Sequence, residues 1–276
     1  MIYFQNLDIR AYVIFYFIIS CFGLCIGSFL NVCIYRLPAG ESLTKKSSHC
    51  MKCGAKIHWY DLFPVFSWLF LRGKCRNCGE KISGRYPLVE SLNWFVYLLA
   101  LTFLKIEEQP LNSVLTALFF SVLIVISFID IDTQEILANQ FVLLIILCIA
   151  DCFTNILTIK ERIIGALCIS VPFFIIGEIT MIFIKKKTGE KIRGIELGDT
   201  VLMLCGGFFL GTKNIIVSAF VGLCAAAVIG LILKSKGKDS KIAFAPYLSF
   251  GMLVGSLFGT GIANCYLEIL QKATTV

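Results

Sequence analysis

The chain has 276 residues, of which 58% are hydrophobic and only 16% charged, with a formal net charge of +7. Soluble domains sit near roughly 45–50% apolar and 25% charged, so a mean hydropathy of +0.84 excludes a compact soluble fold. So much apolar surface with so little charge excludes a disordered chain as well, and an all-α polytopic membrane protein is expected.

In chain order, apolar runs near 11–34, 87–104, 113–130, 140–158, 163–184, 200–212, 214–233 and 243–269 predict about eight transmembrane helices. Each is judged against the ~20 residues that cross the hydrocarbon core. The sixth run is short and would rise only ~20 Å. The first leads into Arg36-Leu37-Pro38 without a small-residue cleavage site, so a permanent helix is expected there rather than a signal peptide.

The charges have a side. With the N-terminus outside, the inside segments 35–86, 131–139, 185–199 and 234–242 carry 10, 0, 5 and 4 Lys/Arg, or 19 of the chain's 25. Arg10, Lys105, Lys160, Arg162, Lys213 and Lys272 are left outside. The positive-inside rule then places the 35–86 segment in the cytoplasm. On this reading the surplus of base reflects topology, and no nucleic-acid partner is expected.

Nine of the thirteen cysteines lie in apolar runs, where the residue behaves as a small hydrophobe. The other four form two knuckles, Cys50-Met-Lys-Cys53 and Cys75-Arg-Asn-Cys78. Each can point two thiolates at one tetrahedral ion, and together they close a four-sulfur shell suited to structural zinc. Lys52, Lys74 and Arg76 are expected to favour the thiolates, and Gly54 and Gly79 to ease each turn. His49 and His58 flank the site as bystanders. A loop of this size has little core of its own, so the metal would supply part of its stability.

Two aspartates stand at predicted membrane boundaries: Asp130, in Ser-Phe-Ile-Asp-Ile-Asp132-Thr-Gln-Glu135, and Asp199, after Gly198. Brought together, two carboxylates would share a proton. The charged one could activate water while the protonated one polarises a peptide carbonyl. Each could equally be a helix cap or a solvated loop residue, and Asp132 or Glu135 could take the place of Asp130. Asp151 and Glu178, inside predicted spans, are expected to hydrogen-bond between helices.

These motifs assemble into a resemblance. Gly27-Ser-Phe-Leu-Asn31-Val-Cys-Ile-Tyr-Arg36-Leu-Pro38, the paired knuckles and Ile82-Ser-Gly-Arg85-Tyr-Pro87-Leu-Val-Glu90 are similar to signatures of the type IV prepilin peptidases. So are the Asp130 segment, Gly198-Asp199 and Ile242-Ala-Phe-Ala-Pro246-Tyr-Leu-Ser-Phe-Gly251. The resemblance implies a first transmembrane helix (1–34), a cytoplasmic zinc-binding N-methyltransferase domain (35–86) and a transmembrane aspartic peptidase domain (87–276). It implies cleavage of the basic leader of type IV prepilin or pseudopilin substrates after a glycine. Methylation of the new N-terminus with S-adenosyl-L-methionine would follow. By motif matching Asp130 and Asp199 inherit catalysis, Cys50, Cys53, Cys75 and Cys78 the metal, and Gly73 and Lys74 a link to methyl transfer. The implied location is the bacterial inner membrane, multi-pass in the lipid bilayer, with both sites facing the cytoplasm.

Three positions depart from the family pattern: Glu196 replaces a glycine of Gly-x-Gly-Asp, Val201 a lysine, and Leu137 a proline. These departures keep a non-catalytic assembly or binding scaffold of the same fold as the alternative. A proton-coupled transporter with a zinc knuckle is a more distant one. Asp132, Glu135, Glu190 and Glu196 are expected to form an acidic rim that steers a basic leader.

Overall fold

The computed structural model describes residues 9–45, 47–103, 109–154, 156–189, 191, 193–236 and 242–274. Glu190 of the expected rim and Lys105 lie outside them. In chain order the helices are α1 (Ile9–Arg36), a short 3-10 turn (Trp59–Leu62), α2 (Phe66–Phe70), α3 (Arg85–Phe103) and α4 (Pro110–Thr133). They are followed by α5 (Ala138–Asp151), a second 3-10 turn (Cys152–Thr154), α6 (Ile159–Thr188), α7 (Leu197–Ser235) and α8 (Ala245–Thr274). The expected all-α fold is found: among the described residues the only β pairing is two isolated bridges.

The count of eight spans is not reproduced in that form. Among the described residues five helices, α1, α4, α6, α7 and α8, are long and apolar enough to cross a membrane. Helix α3 carries Arg85, Glu90 and Asn93 among its apolar residues, and α5 stops after 14 residues. The expected sixth and seventh spans are the two halves of α7, which breaks between them at Gly211, where φ is 76° and ψ 172°. The half before that break rises ~20 Å, too short to cross ~30 Å of hydrocarbon by itself. The exposed faces of these helices are apolar, as in α6 with Ile163, Ile164, Leu167, Val171, Phe174 and Ile175. Such faces suit lipid, and the chain is a multi-pass membrane protein.

The chain divides into two compact units, 1–125 and 126–276. In the first, α1 and α3 approach through glycine: a Cβ on Gly27 would stand 2.7 Å from the Glu90 backbone. Asn93, fully buried, donates to the Gly23 carbonyl at 2.7 Å and accepts from Ser121 at 2.7 Å. Small residues for close approach and buried amides as glue are how helices associate where water is absent. In the second unit α6 meets α7 at Gly165 and Gly207, and α7 meets α8 at Gly222 and Gly251.

The second unit also holds a buried ion pair. Arg162 is completely enclosed; its Nη1 donates to Asp151 Oδ2 at 2.6 Å and its Nη2 to the Asp151 carbonyl at 2.9 Å. Arg162 was expected among the outside cations. It lies in the first turn of α6, which begins four residues earlier than the apolar run because Thr158 and Glu161 cap it.

Candidate active site and metal centre

The two cysteine knuckles belong to the first unit and are built alike. Cys50 N–H donates to Ala55 O at 2.9 Å and Gly54 N–H to Cys50 O at 2.9 Å. In the second knuckle Cys75 N–H donates to Glu80 O at 2.8 Å and Gly79 N–H to Cys75 O at 2.9 Å. Gly54 and Gly79 sit at φ 70° and 72° with open space around them. Their requirement is therefore conformational, a left-handed turn that L side chains resist.

The four Sγ atoms of Cys50, Cys53, Cys75 and Cys78 all lie within 4.8 Å of one another, with Cys50 and Cys78 at 3.8 Å. Tetrahedral ligation with ~2.3 Å metal–sulfur bonds separates sulfurs by ~3.8 Å, so the shell fits one such ion. His49 and His58 stay outside it: His49 Nδ1 faces the Ser47 carbonyl, and the His58 ring stacks on Tyr60.

Amide hydrogen bonds are the largest single influence on the Cys53, Cys75 and Cys78 thiols, and Lys52 also acts electrostatically on Cys50 and Cys78. Lys52 is paired with Glu80, and Arg76 is held by Asp61 through Nε at 2.8 Å and Nη2 at 2.6 Å. Hydrogen bonding at the Ala55 backbone, and then the Asn77 side chain, brings Cys53 down to about 6. Backbone hydrogen bonds at Cys78 and Asn77 lower Cys75. Cys78 is pushed up to about 11, because burial and the neighbouring sulfurs outweigh its hydrogen bond at the Glu80 backbone.

The aspartates belong to the second unit. Helix α4 ends one residue after Asp132, where Gln134 at φ 56° donates its N–H to the Asp130 carbonyl at 2.8 Å and turns the chain back. That return brings Ile136 against Gly198, whose missing Cβ would stand 3.2 Å from the isoleucine side chain. The segment before Asp199 is pinned to α6 from the other side. Glu178 pairs with Arg193, Thr180 Oγ1 accepts the Gly194 N–H at 2.9 Å, and Gly177 leaves room for the Ile195 carbonyl. Glu178 therefore bonds a helix to a loop rather than two helices.

Asp130 and Asp199 are 6% and 7% exposed, and they interact electrostatically with each other. Asp130 Oδ2 accepts the Ala245 N–H at 2.9 Å, so the carboxylate caps the first turn of α8 from another helix. Asp199 lies in the first turn of α7 and is hydrogen-bonded at the Glu196 backbone. Asp132 and Glu135 are exposed. Of the rim residues within the described chain, Glu196 is the one whose charge acts on both aspartates.

Sequence reasoning gave no role to Ala245, although Pro246 beside it marks a helix start, where unpaired N–H groups collect. The departures at Glu196 and Leu137 have a local account. Glu196 is extended, with φ −74° and ψ 157°, a conformation open to any residue. Leu137 has φ −78°, which proline also adopts, and its N–H is taken by Gln140 Oε1 at 3.1 Å. Nothing in the structure explains Val201.

Residues 21–104 match the bacterial peptidase A24 N-terminal domain, and residues 117–231 match the type IV leader peptidase family. The chain is 32% identical over 269 residues to the Escherichia coli "type 4 prepilin-like proteins leader peptide-processing enzyme", covering 90% of this chain and 92% of that protein. It is 30% identical over 285 residues to the "prepilin leader peptidase/N-methyltransferase" of Aeromonas hydrophila, covering 92% and 94%. The Bacillus subtilis protein of the same name is 27% identical over 257 residues, covering 91% and 98%. No solved structure gives a significant match. With identity above 30% to a relative matched over nine-tenths of both chains, the chain belongs to the type IV leader peptidase family.

Proposed function

We propose that the chain is a membrane-embedded aspartic endopeptidase that removes the basic leader of type IV prepilin-like substrates and then N-methylates the new terminus. The observation that carries this reading is the burial of Asp130 beside Asp199 at the start of α7, with the Ala245 amide on Asp130. One carboxylate takes a proton from water as the water oxygen attacks the scissile carbonyl carbon. The protonated partner hydrogen-bonds the carbonyl oxygen, and a proton passes to the leaving nitrogen as the C–N bond breaks. Gly198 and Ile136 hold the two segments at packing distance, and the main-chain amides fix each carboxylate so that little reorganises during reaction.

Zinc is the ion assigned to the four-cysteine shell, in a structural role, since all four positions are filled by sulfur and none is left for substrate. S-adenosylmethionine, when bound, supplies an electrophilic methyl group for the freed amine. A cytoplasmic position for segment 35–86 and for the helix ends carrying Asp130 and Asp199, in a bacterial inner membrane, is supported by the positive-inside count. The scaffold alternative rests on the altered motif around Asp199, and the extended backbone at Glu196 weakens it.

The test is incubation of purified enzyme with a prepilin and mass spectrometry of the product N-terminus. Asp130→Asn and Asp199→Asn should each lower cleavage by ~10²–10⁴-fold while leaving the protein folded in detergent. Undiminished cleavage in either variant removes that aspartate from catalysis and returns the scaffold reading.

A further inference from the structure

Several aromatic rings stand exposed on the segment between the two cysteine knuckles, four of them around one groove. Tyr60, Phe63, Phe66 and Phe70 are 45%, 61%, 53% and 87% accessible. They line a groove of about 440 Å³, with the Asp61–Arg76 pair in its wall. A cluster of this kind outside the long apolar helices marks a surface built to be covered, and the volume falls in the ~300–1,000 Å³ range of small-ligand sites.

The rings are held outward against their own tendency to collapse. Val65, between Phe63 and Phe66, is a β-branched residue at φ 60°, and its N–H is fixed by Glu90 Oε2 at 2.7 Å. Glu90 is itself only 7% exposed, on α3. Strain maintained in this way clusters at functional sites. On the other side of α2, Trp68 Nε1 donates to the Ile82 carbonyl at 3.1 Å, anchoring the short helix so that its phenylalanines face out.

We propose that this groove is the S-adenosylmethionine site, an inference that rests on the methyltransferase reading. The ligand carries a purine, a sulfonium and an amino-acid carboxylate, and the groove answers each. Aromatic faces stack on purines and attract cations. Arg76 spends Nε and Nη2 on Asp61, and its Nη1 makes no hydrogen bond to another described residue, leaving it to accept a carboxylate partner. Asp61 fixes that guanidinium, whose carbon lies 5.4 Å from the centre of the Tyr60 ring.

Gly73 and Lys74 are absent from the groove lining. Gly73 sits at φ 65° with Trp68 against its α-carbon, where an added Cβ would stand 2.9 Å from the indole. Its link to methyl transfer then runs through Trp68 and α2, which makes Gly73 a positioning residue rather than a ligand contact.

The test is calorimetric titration of S-adenosylmethionine into the zinc-loaded full-length protein in nanodiscs, without prepilin. Wild type should bind one ligand per chain. Tyr60→Ala, Phe66→Ala and Phe70→Ala should bind about tenfold more weakly, with zinc still at one ion per chain, whereas Tyr60→Phe, which keeps the ring, should bind close to wild type. Phe70 is the most exposed ring and contributes least to folding, so its variant decides the matter if Phe66→Ala loses metal. Wild-type binding with unchanged affinity in the zinc-loaded alanine variants overturns the groove, as a face that packs on lipid headgroups would give, and leaves the methyltransferase reading standing. A wild type that neither binds the ligand nor methylates a cleaved prepilin overturns both.

Discussion

The cysteine knuckles and the aspartate site are both small clusters of side chains, but they are assembled by opposite means. Each knuckle is closed by hydrogen bonds spanning five residues, and its sulfurs are partly or fully exposed. The aspartate site joins α4, the start of α7 and the start of α8, and Asp130 is bonded to a residue 115 positions away. Local geometry makes the first site and leaves four sulfurs for an ion to bridge, whereas helix packing makes the second. The two should therefore fail under different insults.

The largest effect expected is on the knuckles. Removing zinc with a chelator, or replacing Cys53 and Cys75 by Ser, should unfold segment 44–84, because so small a unit has no core to fall back on. Limited proteolysis would then cut within that segment while the long helices stay protected. Knuckles that remain protease-resistant without metal would end the proposed contrast between the sites.

The bundle should be most sensitive at Arg162. Both partners of its ion pair are buried, and Arg162 Nε makes no hydrogen bond to another described residue. Taking away one partner leaves the other charged and enclosed, which costs ~3–5 kcal/mol. Arg162→Gln should accordingly lower the thermal stability of the detergent-solubilised protein without affecting bound zinc. Equal loss of zinc in this variant would show that the two sites are not independent.

Packing at the aspartates comes next. Gly198→Val places branched carbon where Ile136 already sits, and overpacking of this kind costs about 1–3 kcal/mol. Cleavage should fall with zinc content unchanged, and Ile136→Ala in the same chain should recover part of it. No recovery in the double variant would mean that Gly198 serves something other than this contact.

The same division decides what could be read in advance. The four cysteines were legible because a ligand set spaced by two residues encodes its own geometry. Asp130 and Asp199 could be nominated from their boundary positions, but their meeting depends on Gly198, Ile136 and the turn at Gln134, none of which carries a periodic signal. The division between the sixth and seventh apolar runs was legible: it falls within two residues of Gly211, where a single backbone angle breaks α7. The burial of Arg162 was not legible, because a cation beside an apolar run gives no sign of its partner; the pairing with Asp151 accounts for it. Of the cations expected to favour the thiolates, Lys52 pairs with Glu80 and Arg76 with Asp61, contacts that the spacing of the cysteines does not announce.

The smallest effect expected separates steering from chemistry at the aspartate site. Glu196 and Glu135 are exposed, so their attraction for a Lys/Arg-rich leader is screened by salt and worth no more than ~0.2–1 kcal/mol per pairing. Glu196 differs from Glu135 in acting also on Asp130 and Asp199. If both residues only steer, Glu135→Gln and Glu196→Gln should each slow cleavage up to about fivefold at low ionic strength, and both deficits should vanish at high salt. If Glu196 also sets the field at the dyad, its variant should keep a shifted pH–rate profile at high salt, where steering is gone and the nearby buried charges remain unscreened. Glu135→Gln serves as the internal control, since it removes the same charge without reaching either aspartate. A salt response equal to wild type in both variants would remove the acidic rim from leader recognition.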